Sequence, residues 1–124
     1  MGAICKNRLG RYNEGIEDYT NAIEIDPKYF FAYNGRGIAK SDLKDYQAAI
    51  EDYNKAIEID PKYTAAYTNR GIAKSNLKDY QAAIEDYTTA IDIDSKYVSA
   101  YFRRGNAKSN LKDYQAAIED YTTA

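Results

Sequence analysis

Paired carboxylates are the first candidates for chemistry in this chain of 124 residues. Glu51-Asp52 recurs as Glu85-Asp86 and Glu119-Asp120, and two carboxyl groups can divide general acid and general base between them. That division needs convergent side chains, whereas neighbours on a helix point about 100° apart. The pairs therefore read as a solvated or salt-bridged face. Asp92-Ile93-Asp94 lacks the glycine turn and the twelfth-position glutamate of an EF-hand loop. Cys5 is the single cysteine and the chain has no histidine, so a thiol nucleophile would have no imidazole to activate it. No glycine-rich phosphate loop is present. The 14 tyrosines invite base stacking or an aromatic cage, but every one stands at a position that recurs along the chain, which favours packing. These residues offer no catalytic group, no cofactor site and no metal ligands, and no enzymatic activity is expected.

The elements that must position these residues come from a repeat. Tyr46-Gln47-Ala48-Ala49-Ile50-Glu51-Asp52-Tyr53 returns at Tyr80–Tyr87 and Tyr114–Tyr121, at a spacing of 34 residues, with a looser copy at Tyr12–Tyr19. A fixed period of this length signals stacked supersecondary units. The units are set at 30–63 and 64–97, with partial units at 1–29 and 98–124. Each reads as two helices: Tyr33, Arg36, Gly37, Lys40 and Leu43 recur at helical steps, as do Tyr46, Ala49, Ile50, Tyr53, Ala56 and Ile57. A turn is expected at Lys44-Asp45, with Asp45 as N-cap and Asp60-Pro61 as the stop. Gly10 holds the register of Lys44, Lys78 and Lys112, so the same turn is expected there. A left-handed lysine would cost about 1 kcal/mol relative to glycine.

Tyr33, Gly37, Ala49, Tyr53, Ala56 and Pro61 follow one another within a unit, and Tyr67, Gly71, Ala83, Tyr87 and Ala90 repeat the series with Ser95 for the proline. Tyr101, Gly105, Ala117, Tyr121 and Ala124 do so again. This pattern resembles the tetratricopeptide repeat family over essentially the whole chain. The resemblance implies an all-α, right-handed solenoid of antiparallel helix hairpins. Two departures stand out. Arg36, Arg70 and Arg104 replace the larger apolar residue usual before the glycine, and Lys40, Lys74 and Lys108 replace an aromatic. Either the basic heads pair with Asp52, Asp86 or Asp120 while their stems cover apolar surface, or they form an anion-binding ladder. The first reading is preferred because the pairs recur with the architecture.

The resemblance also implies a concave groove lined by first helices, where the family holds an extended or helical peptide. The groove set expected here is Phe31, Asn34, Ile38 and Asp42, then Thr68, Asn69, Ile72 and Asn76, then Phe102, Arg103, Asn106 and Asn110. Phe31 and Phe102 would be apolar anchors, or would instead pack against a neighbouring helix. Some family members grip a terminal carboxylate with a Lys/Asn/Asn/Lys/Arg clamp. Asn69 and Arg103 match two of its positions, while Asn34, Ile38 and Ser99 stand where Lys, Asn and Lys would be needed, so this activity is not expected.

Composition narrows the partners. Lys and Arg number 17 against 19 Asp and Glu, for a net charge of -2; nucleic-acid or anionic-membrane binding would call for a basic excess. No apolar run approaches the roughly 18 residues of a membrane span, and a lone thiol suits a reducing, cytoplasmic setting. A protein or peptide partner is expected, with no nucleic acid and no membrane. At the ends, Ile4 and Leu9, and Ile118 and Tyr121, have no evident cover. Three accounts stand side by side: a piece of a longer array, a repeat array made by design, and a homo-oligomer joined through these residues.

Overall fold

The computed structural model describes the backbone of residues 2–123 and the side chains of residues 10–123. Every element among the described residues is a helix: α1 Gly2–Ile25, α2 Phe30–Asp42, α3 Tyr46–Ile59, α4 Thr64–Asn76, α5 Tyr80–Ile93, α6 Val98–Asn110 and α7 Tyr114–Thr123. The chain divides into two compact units, Met1–Pro61 with α1 to α3 and Lys62–Ala124 with α4 to α7.

One short device makes each hairpin. At the end of α2, the Lys44 N–H donates to the Ser41 carbonyl at 2.8 Å and the Asp45 N–H to the Lys40 carbonyl at 2.9 Å. This is the Schellman arrangement, which requires a left-handed residue between the helices. Lys44, Lys78 and Lys112 take that conformation, with φ of 65, 65 and 66°. The next residue starts the second helix: the Asp45 carboxylate accepts from the Ala48 N–H at 3.4 Å, as Asp79 and Asp113 do from Ala82 and Ala116.

The turn expected at Gly10 is absent. Helix α1 runs unbroken through it, and among the described glycines none has positive φ. The physical reason lies one residue on. Arg11 stands where the other hairpins carry aspartate, and a guanidinium cannot accept from the backbone N–H groups of a new helix. With no cap to start a second helix, the first continues.

Small residues let the helices of a hairpin approach. In the second unit Ala66, Ala73, Ala83, Ala90, Ala100 and Ala107 are buried, with Tyr87 and Ile91 filling the larger spaces. The glycine of the repeat serves the tyrosine: a Cβ on Gly71 would come within 2.5 Å of the Tyr87 ring, and one on Gly37 equally close to Tyr53. Packing thus accounts for Tyr53 and Tyr87, 2% and 1% exposed. It does not account for every tyrosine, since Tyr29 and Tyr114 stand 45% and 58% exposed.

Candidate functional site

The basic pairs come first, because their geometry decides what charge the first helices can offer. The Arg36 guanidinium donates through Nε and Nη2 to both Asp52 oxygens at 2.9 and 2.8 Å, and Lys40 Nζ lies 3.0 Å from Oδ2. Asp86 is held the same way by Arg70 and Lys74, and Asp120 by Arg104 and Lys108. The third edge of the guanidinium reaches back a helix: Arg36 Nη1 donates to Thr20 Oγ1 and Arg104 Nη1 to Thr88 Oγ1, each at 3.2 Å. Each arginine also lies over the tyrosine one turn before it, Arg36 at 5.6 Å from the Tyr33 ring centre. Burial would raise the Asp120 carboxyl, yet the bonds from Arg104 and Lys108 outweigh it and hold the group below the usual carboxylate range. The bond to Asp52 raises Arg36 in return. These cations are therefore committed inside the hairpins, and the anion-ladder alternative falls.

What remains on the first helices differs between the units. In the first, α2 presents Phe31, Ile38 and Asp42 to solvent, whereas Asn34 is buried. Phe31 sits in an aromatic group, its ring centre 4.5 Å from that of Phe30 and 6.0 Å from that of Tyr29. A hollow of about 350 Å³ in this unit, between Pro27, Lys28, Tyr33, Lys55, Glu58 and Ile59, contains none of the residues expected to form the groove.

In the second unit, several do come together. A cleft of about 190 Å³ is lined by Ile72, Ser75 and Asn76 of α4, Tyr80 and Tyr87 of α5, and Arg103, Asn106, Ala107 and Asn110 of α6. Arg103 alone among these is charged. Asn76 and Asn110 each donate one carboxamide N–H to the carbonyl four residues back, at 3.0 and 2.9 Å. Thr68 and Asn69 lie outside the lining. Thr68 is buried, its hydroxyl turned to the Thr64 carbonyl at 3.2 Å. Phe102 is 53% exposed with its ring 5.6 Å from that of Tyr121.

Ser75, Tyr80, Tyr87 and Ala107 lie outside the groove set expected from the sequence. The signal for Tyr87 is the Gly71–Ser75 spacing: the glycine makes room for the ring, and the serine one turn on meets its hydroxyl at 3.4 Å. Burial raises the Tyr87 phenol and pushes that of Tyr53 up to about 12, so both stay protonated. Of the end residues, Ile118 is 59% and Tyr121 39% exposed; the side chains of Ile4 and Leu9 lie outside the described residues. Among the described residues, no group of three His, Cys, Asp or Glu could hold a metal ion, and no helix is long and apolar enough to cross a membrane.

A tetratricopeptide repeat model matches residues 30–63 and 64–97, a TPR repeat model residues 7–44, and a further tetratricopeptide repeat model residues 98–124. The chain belongs to the tetratricopeptide repeat family. Solved structures agree with an all-α TPR fold. The crystal structure of MamA is 26% identical, with a TM-score of 0.86 over 93% of this chain and 67% of that one. The first TPR of Spaghetti (RPAP3), bound to HSP90 peptide SRMEEVD, is 28% identical, with a TM-score of 0.80 over 83% and 82% of the two chains. The Arabidopsis OM64 TPR domain is 33% identical, with a TM-score of 0.74 over 75% and 77%. None of the curated proteins matches this TPR chain.

Proposed function

We propose that this TPR chain is a non-enzymatic protein–protein interaction module that holds a peptide segment against the exposed face of its first helices, with the cleft between α4 and α6 as the principal contact. One observation carries the reading: residues from two first helices, Ile72 and Asn76 on one and Arg103, Asn106 and Asn110 on the other, line a single cleft. The cleft is mainly polar, its hydrogen-bonding side chains converging around Ile72 and the tyrosine rings, and the exposed Phe102, next to Arg103 in the chain, is the apolar anchor. The peptide bound to the first TPR of Spaghetti supports this mode of use. To test it, decapeptides displayed on phage are selected on the wild-type chain, and the recovered sequences are remeasured on a Phe102→Ala/Arg103→Ala variant. Affinity is expected to fall at least tenfold with unchanged helicity; equal affinity would remove the site.

A second reading, self-association through the repeat ends, draws support from α7. In the second unit Tyr80, Ile84 and Tyr87 of α5 pack with Ala107 of α6. Their counterparts on α7, Tyr114 and Ile118, are 58% and 59% exposed. Sedimentation equilibrium across a hundredfold range of concentration tests it. A rising mass that Ile118→Asp returns to the monomer is the outcome this reading requires, and a constant monomer mass rejects it.

A further inference from the structure

One of the registers at which the repeat varies inside the cleft exchanges an apolar residue for a carboxamide. Ile38 and Ile72 hold the position that Asn106 takes in α6. Isoleucine cannot accept a hydrogen bond, and in α4–α5 the Tyr87 hydroxyl lies near Ser75 Oγ, at 3.4 Å. In α6–α7 the equivalent hydroxyl has another acceptor: Tyr121 donates to Asn106 Oδ1 at 2.6 Å. That bond takes one lone pair of the carboxamide oxygen, fixes which way the group is turned, and leaves both N–H groups of Asn106 unspent. Asn76 and Asn110 differ, since each has spent one N–H on a backbone carbonyl and keeps one N–H together with its Oδ1. The cleft therefore offers donors at Arg103 and Asn106, and both a donor and an acceptor at Asn76 and at Asn110.

We propose that Tyr121 is a positioning residue that sets this polarity, holding Asn106 as a donor toward a main-chain carbonyl of an extended partner segment. The proposal rests on the groove reading above and names the chemistry that reading would recognise. An extended main chain offers carbonyls and N–H groups together, so it can meet Asn106 and Arg103 on one side and the oxygens of Asn76 and Asn110 on the other.

A double-mutant cycle on the phage-selected decapeptides tests this. Tyr121→Phe keeps the ring against Phe102 and removes only the hydroxyl, so Asn106 is free to turn over. In the wild-type background it is expected to weaken peptide binding about fivefold, the worth of one hydrogen bond. In an Asn106→Ala background the same change is expected to have no effect, because the group it orients is gone. Equal weakening in both backgrounds would assign the hydroxyl a general structural role and overturn the proposal, as would no weakening in either. Arg103→Ala on the same peptides separates the two levels. If it leaves affinity unchanged, the groove reading falls; if it weakens binding and the cycle shows no coupling, only the role of Tyr121 falls.

Discussion

A carboxylate with 5% of its side chain exposed, held by one arginine and one lysine, recurs three times, at Asp52, Asp86 and Asp120. Two cations per anion means that removing the carboxylate strands both. Asp86→Asn is expected to lower unfolding stability by about 3 kcal/mol, the low end for breaking a buried pair because Arg70 and Lys74 keep some contact with water. Urea denaturation checks it, with Glu58→Gln as the control: its pair with Lys55 spans 3.7 Å between exposed groups and is worth well under about 1 kcal/mol. The pairing was legible in the sequence because Arg36, Lys40 and Asp52 recur together in three of the four units. The burial of Asn34 and Thr68 was not. A helical period places a residue on one side of its helix, whereas cover depends on how closely neighbouring elements approach. The Tyr121–Asn106 bond was hidden for a similar reason, since it joins two helices at positions 15 residues apart that no local rule connects.

At the scale of the element, three lysines hold the left-handed place between helices, a place glycine takes without steric cost. Lys78→Gly is therefore expected to raise stability by about 1 kcal/mol, read as a higher urea midpoint at constant slope. A lowered midpoint would mean that the lysine side chain contributes more than its backbone conformation costs. The hairpin turns and aspartate caps were readable because Lys-Asp precedes Tyr46, Tyr80 and Tyr114 alike. The N-terminal segment misled because Gly10 looks like a better turn residue than lysine. Permissive φ allows a turn but does not start the next helix, and Arg11 supplies no acceptor to do so.

For the molecule as a whole, the 34-residue period carried the fold, and the TPR family match covers the same hairpins. The proposed function rests instead on what the period does not repeat. Conserving Ala, Gly and Tyr from hairpin to hairpin preserves packing, while Asn76, Phe102, Arg103, Asn106 and Asn110 vary the exposed face of the first helices. A period argument can say where such residues lie but not which of them share a cleft, because that requires the distance between α4 and α6. The most direct measurement of the central claim is amide and side-chain chemical-shift mapping of the wild-type chain titrated with a phage-selected decapeptide. Shifts concentrated at Ile72, Asn76, Arg103, Asn106 and Asn110, with the Asn106 carboxamide protons moving downfield on binding, are the expected result. Shifts confined to Tyr114, Ile118 and the outer face of α7, with the cleft unmoved, would contradict it.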